Sequence, residues 1–423
     1  RTSTPPIPLP PMTNYFTHTL SCGLRLIVEH RVSPVLYCGY VVCAGTRHEE
    51  SADSGMAHFI EHTTFKGTHR RRACHITNGL ERVGGDLNAY TTKQETVYYA
   101  TVLRDDFSRA ADLLTDIVFH STYPQAEIDK EVEVICDEID SYKDSPSELI
   151  FDEFEAMMYS GQPLGRDILG SAERLRQYTT ADALRFTQRY YRPENAVFYV
   201  YGDVDPQRVV RTLERLLPAS DFLDLPRLSP LQRPVPVPCS QQNERIVKKS
   251  THQAHVLIGG PTFAGTDERR FALILLNNML GGPGMNSRLN LSLREKAGLV
   301  YSVDAYLNTY PDTGFWNVYF GCDAHDVKRC RRLLERELLR FIDTPLTPTQ
   351  LAAAKKQLRG QIGISTDASE GYALALGKTF AHYNRHRSIE AIIKSLDAVT
   401  ADQLQAVAAE VYCPERLTTL VYQ

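Results

Sequence analysis

The residues with the clearest chemical meaning lie between Gly55 and His62, where the chain reads Gly-Met-Ala-His-Phe-Ile-Glu-His. On a helix, His58 and His62 stand four apart and leave the same face. Two imidazole nitrogens on one face are half of the donor set of a tetrahedral zinc. Glu61, one residue before the second histidine, is placed to reach a water on such a metal rather than the metal itself. This H-x-x-E-H order reverses the commoner H-E-x-x-H zinc helix. The chemistry needs two neutral nitrogens, one carboxylate base and an open coordination position. With 13 histidines in 423 residues, the pattern arises by chance in about two or three chains per hundred. A third ligand therefore decides its meaning.

Pro124 opens a long helical pattern, Gln125 to Tyr142, in which Glu131 and Glu138 are seven residues apart and share a face within about 20°. Glu133 and Asp137 fall off that face. Four acidic residues on one helix ordinarily make a solvated surface. Here Val132, Val134, Ile135 and Ile139 lie among them, so the helix is partly buried. A buried carboxylate needs a partner, and a metal is one such partner.

Several elements must position these residues. Stretches 23–30 and 35–44 are β-branched or aromatic-rich and read as paired strands. Asp53 or Ser54 can cap the helix carrying 58–62, and Gly67 ends it. A helix over 75–83 precedes a hairpin of 86–91 and 95–102, then helical periodicity over 103–121, 148–160 and 179–190. Residues 195–202 form a strand, followed by a further helix. A proline-rich stretch over 225–240 then reads as an extended linker. The second half gives a strand at 254–259, a helix at 269–280, and a helix ending at Gly298 with a strand beginning at Leu299. Helices at 325–341, 347–361, 368–382 and 388–410 and a closing strand at 416–422 complete it.

Strands and helices alternate in both halves, which predicts an α+β fold of two domains, each a sheet covered by helices. Aligning Gly45-Thr46 with Gly265-Thr266 puts Asn278, Gly281 and Gly282 where His58, Glu61 and His62 stand. The expected organisation is a Pro-rich N-terminus (1–14), a zinc-binding domain (15–224), a linker (225–240) and a metal-free copy (241–423). A net charge of -4 argues against a general nucleic-acid binder. No apolar run reaches the length of a membrane span. The nine cysteines are odd in number and form no C-x-x-C; free thiols in a reducing, cytoplasmic setting are the expectation. The absence of an initiator Met leaves an organellar or exported location open, after removal of an upstream segment.

Gly55 to His62 with Phe65-Lys66-Gly67-Thr68, Leu87-Asn88-Ala89-Tyr90-Thr91, Glu131 through Ile139, Pro163-Leu164-Gly165, and Leu293-Arg294-Glu295-Lys296 with Tyr301-Ser302 follow one another over residues 15–305. In order and spacing they resemble the pitrilysin/insulinase family of zinc peptidases, in its mitochondrial-processing-peptidase-like branch. The resemblance implies two homologous domains with mostly antiparallel sheets, forming half of a clamshell. It implies one zinc per active site on His58, His62 and Glu138, with Glu61 as general base and Glu131 as the carboxylate that steadies the site. Asn88, Ala89 and Tyr90 match the edge strand that pairs with substrate backbone. Arg294 and Tyr301 match a pair that reaches the substrate from the other half of the clamshell. In a chain of this length that half is a second subunit, so a homodimer, or a heterodimer with a related chain, is expected.

Without the family, Arg294 reads as a surface charge, Tyr301 as a core residue and Asn88 as a turn former. His69 and His75 read as ordinary polar residues. The expected activity is zinc-dependent hydrolysis of peptides or unfolded segments. The alternative is a non-catalytic substrate-binding or assembly subunit, whose glycine loop the stretch Leu280 to Gly284 resembles. The intact set of His58, Glu61, His62 and Glu138 favours the active chain.

Overall fold

The computed structural model describes residues 15–222, 235–249 and 251–423. The first half runs β1 (Tyr15–Thr19), β2 (Arg25–His30), β3 (Val35–Val42), α1 (Met56–Thr64), α2 (Ala73–Glu81), β4 (Asp86–Thr91) and β5 (Thr96–Leu103). It continues with α3 (Phe107–His120), α4 (Gln125–Lys143), α5 (Pro146–Met158), α6 (Ala172–Leu175), α7 (Thr180–Tyr190), β6 (Ala196–Gly202) and α8 (Pro206–Leu216). The second half begins with β7 (Asn243–Val247), β8 (Ala254–Pro261), α9 (Arg270–Gly281), β9 (Val300–Thr309) and β10 (Gly314–Cys322). Then follow α10 (Val327–Asp343), α11 (Pro348–Thr366), α12 (Ser369–Tyr383), α13 (Ile389–Asp397), α14 (Ala401–Val411) and β11 (Thr418–Tyr422).

The strands form two sheets, ordered β1-β2-β6-β3-β5-β4 and β7-β11-β8-β10-β9. Leaving β1 aside, the two have one topology. A parallel pair (β2 with β6, β7 with β11) is followed in each by three antiparallel pairings. The fold is α+β with two like sheets, as expected from the alternation of elements.

The helices cross between the halves. On one face of the first sheet, Cys38, Tyr40 and Val42 of β3 pack with α1 and α3 residues. On the other face, Val41 packs with Val97, Tyr199 and Ala373, Leu376 and Phe380 of α12, which comes from the second half. In return, Ile150, Phe154 and Met158 of α5 pack on Leu257, Phe315 and Leu420 of the second sheet. Both faces of each sheet are therefore covered, which explains why β3 reads as an unbroken apolar run rather than an alternating one. The close approach of α12 needs Gly377, where a Cβ would overlap the Tyr199 ring. Polar contacts clamp the same helix. Glu95 meets His382 at 2.7 Å and Lys378 at 3.2 Å, and Arg25 donates to Ala381 O at 3.1 Å.

The structure departs from expectation in two places. The helix expected over 388–410 is two, α13 and α14, because Thr400 caps a new helix and forms a capping box with Gln403. Strands β1, β7 and β10 were not anticipated. Most of the proline-rich stretch, and residues 1–14, lie outside the described residues; 235–240 carry no regular structure.

Candidate metal centre

Helix α1 carries both histidines, and its start is fixed by two non-local devices. Gly55 has φ +80° and packs on Gly170, so a side chain there would meet the Leu169 carbonyl. The helix is not capped by Asp53 or Ser54. Glu49, 3% exposed, accepts hydrogen bonds from Gly55 N at 3.1 Å and Ala57 N at 2.9 Å, one on each carboxylate oxygen. Asp53 is instead bound to Arg185 at 2.7 Å. A carboxylate at this end also suits the helix dipole. With Met56, Ala57, Phe59 and Ile60 fully buried, the helix is held on every side but the one bearing the site.

His58 and His62 have ring centroids 4.6 Å apart. Glu138, two turns after Glu131 on α4, brings its Oε2 to 3.3 Å from His62 Nε2 and 3.8 Å from His58 Nε2. Donor atoms of the three residues lie within 4.8 Å of one another. Ligands about 2.0–2.2 Å from a tetrahedral zinc stand about 3.3–3.6 Å apart, so the spacing and the N, N, O donor set fit that ion. Among the described residues the other grouping of this kind, Asp323, His325 and Asp326, is largely exposed on the surface.

Glu131 makes the second contact. Its Oε1 lies 3.0 Å from His62 Nδ1, and its Oε2 pairs with Lys66 Nζ at 2.6 Å. With Nδ1 donating to a carboxylate, Nε2 is left as the free nitrogen facing Glu138, the orientation a metal ligand needs. Burial acts to raise the Glu131 carboxyl, but His62 and Lys66 outweigh it and hold it below the usual range. Burial works against charge on His62 too, yet its bonds to Glu131 and Glu138 push it up to about 9. Burial and neighbouring His62 take His58 down to about 4. Two carboxylates that favour positive charge at one imidazole make the electrostatics of a cation site.

Glu61 lies beside this cluster and accepts a 2.7 Å hydrogen bond from Thr91 Oγ1. Burial raises its carboxyl above the ordinary value, which increases its strength as a base. Thr91 ends β4, and β4 is the outermost strand of the first sheet. Asn88, Ala89 and Tyr90 therefore lie on an edge with unpaired backbone groups, next to the carboxylate.

Arg294 and Tyr301 stand apart. Both belong to the second half, and no hydrogen bond, ion pair or ring contact links either to the histidines. Tyr301 is 85% exposed, so it is not the core residue its type suggests; Arg294 lies 3.8 Å from Glu295. Three residues that build the centre had no role assigned from sequence: Thr91 and Lys66, which contact its carboxylates, and Glu49, which holds the start of α1. The first two adjoin the motif residues, but a lone threonine or lysine carries no signal without the fold.

Comparison with known proteins gives a consistent picture. Residues 25–172 match the profile described as insulinase (peptidase family M16), and residues 177–358 match the peptidase M16 inactive domain. An uncharacterized zinc protease of Streptomyces coelicolor is 34% identical over 93% of this chain and 86% of its own length. One of Bacillus subtilis is 30% identical over 96% of this chain and 97% of its own. In fold, a protease from Helicobacter pylori superposes with a TM-score of 0.88 at 21% identity, over 97% of this chain and 99% of that one. A peptidase M16 inactive domain from Pseudomonas fluorescens gives 0.87 at 20% identity, over 97% and 98%.

Proposed function

Because the chain belongs to the insulinase family of peptidases, family M16, we propose that it is a zinc-dependent endopeptidase acting on peptides or unfolded segments. The observation that carries this reading is the convergence of His58, His62 and Glu138, with Glu61 beside them. His58 and His62 would hold the ion through Nε2 and Glu138 through a carboxylate oxygen. When bound, zinc supplies a Lewis acid that acidifies water and polarises a carbonyl.

The chain's own residues do the rest. Glu61, its proton affinity raised by burial, takes a proton from the attacking water and returns it to the departing amine. Thr91 orients that carboxylate through its 2.7 Å bond. Glu131 holds the His62 ring, and Lys66 holds Glu131. The open edge at Asn88, Ala89 and Tyr90 pairs with an extended substrate and lays its backbone across Glu61. Arg294 and the exposed Tyr301 reach substrate from a second copy or a related chain, closing the chamber. In this reading residues 15–224 form the catalytic unit and 241–423 a metal-free copy, joined by 225–240. No described helix is long and apolar enough to cross a membrane, and all nine cysteines are free, which suits a reducing compartment.

The test is cleavage of an unstructured-peptide library by zinc-loaded wild type and Glu61→Gln, with a chelator control. Cleavage is expected from wild type, lost on chelation, and reduced about 10²–10⁴-fold in Glu61→Gln with zinc retained. Zinc binding without cleavage by wild type would instead assign a binding or assembly subunit.

A further inference from the structure

A cavity of about 600 Å³ opens among α9, α11, α12, α13 and the segment joining the last two, away from the metal centre. That volume is within the range of small-molecule sites. Its walls are apolar, with Phe271, Ile274, Ile362, Leu376, Ile389 and Ile392. Its polar side carries three arginines, Arg270, Arg385 and Arg387, beside His386, whose proton affinity burial lowers, and no carboxylate lines it.

One carboxylate, Glu268, acts on all three arginines, so their charge is cancelled only in part. Arg387 is paired, with Glu268 at 2.5 Å. Arg270 donates to the backbone carbonyls of Gly265 and Asp267 and meets no carboxylate. Arg385 makes no hydrogen bond or contact ion pair among the described residues and acts on Glu268 only through charge. Burial, then the charge of Arg387, lower the proton affinity of Arg270, and the carboxylate of Glu268 offsets this only in part. His386 has a side chain 5% exposed, and its buried Nε2 has no hydrogen-bond partner. Two carboxylates lie near it: Glu390 acts through charge alone, and Glu29, at 3.4 Å, is engaged by the Tyr372 hydroxyl, at 2.9 Å from each of its oxygens.

We propose that this cavity binds a small organic carboxylate with an apolar body, its head between Arg385 and Arg270 and its body against the isoleucines. Arginine forks favour planar carboxylates over point charges, and the walls exclude a small hydrated anion as the sole occupant. The same chemistry is offered by a free fatty carboxylate and by the C-terminus of a peptide ending in an apolar residue. The site is independent of whether the chain is a peptidase.

Isothermal titration of the full chain tests it with decanoate, uncharged decanamide, and an apolar hexapeptide with a free or an amidated C-terminus. Saturable binding of decanoate or of the free-acid peptide is expected, at least tenfold tighter than the matching amide. The ligand that binds identifies the source. Arg385→Gln, which removes an unpaired surface charge, should weaken binding at least tenfold without moving the thermal midpoint. Ala375→Phe, which fills the mouth, should abolish it. Equal affinity for acid and amide, insensitivity to Arg385→Gln, or no binding of either acid would overturn the proposal.

Discussion

Glu131 lies 3.0 Å from Nδ1 of His62 while Glu138 approaches Nε2 of the same ring at 3.3 Å, so one imidazole is held between two carboxylates from one helix. The seven-residue spacing in α4 creates this arrangement, since two turns bring both side chains to the same face. Glu131→Gln should keep the fold and lower zinc affinity about 10–100-fold, read by competition with a chromophoric chelator. Unchanged affinity would show that another contact orients His62.

Glu49 holds the amides of Gly55 and Ala57 at the start of the histidine helix. Glu49→Ala should destabilise the protein by about 1–3 kcal/mol in urea unfolding, because two buried N–H groups lose their acceptor. Hydrogen exchange at those two amides should accelerate more than elsewhere in α1. Uniform acceleration along the helix would argue against a capping role.

Two glycines in helices should respond oppositely to alanine. At Gly377 the new methyl meets the Tyr199 ring, and Gly377→Ala should cost about 1–3 kcal/mol despite better helix propensity. At Gly363, exposed in α11 with nothing near the new atom, alanine should add about 0.5–1 kcal/mol. Thermal midpoints of the pair decide the matter; a gain at Gly377 would mean that α12 can ride up from the sheet at little cost.

Glu95 gives a pH dependence. Burial pushes its carboxyl up, but the His382 bond and the Lys378 charge prevail and leave it below the ordinary value of 4.5. A carboxyl lowered by folding contributes stability above its unfolded value, and that contribution is lost as pH falls through the folded value. Wild type should therefore lose part of the α12 docking energy below about pH 4.5, whereas Glu95→Gln should be about 1–3 kcal/mol weaker at pH 7 and lose less on acidification. Urea midpoints from pH 7 to 3.5 would expose the difference, and parallel curves for the two proteins would refute it.

The convergence of the candidate site's residues was readable because they obey local helix geometry: His58 and His62 four apart, Glu131 and Glu138 seven apart. The capping box at Thr400 was equally local and could have divided 388–410 into two helices. Strand β10 was readable too, since Phe315, Trp316, Val318 and Phe320 sit in an aromatic, β-branched run. The cap on α1 was not, because Glu49 reaches back across a loop whose path no periodicity encodes. Nor was the destination of α12. The pattern of Ala373, Leu376 and Phe380 says that a helix has an apolar face, not which sheet that face will meet.

The exchange of α5 and α12 sets an order of events during synthesis. The sheet behind the histidine helix cannot close its rear face until α12 has been made, and α12 ends at residue 383, 181 residues after the end of β6 at residue 202. At about 5–20 residues per second, that face stays uncovered for roughly 10–35 s after β6 emerges. A nascent chain of this design carries an uncovered apolar sheet face for as long as it takes to make the second half up to α12, and the half that bears the histidines closes only when that helix arrives.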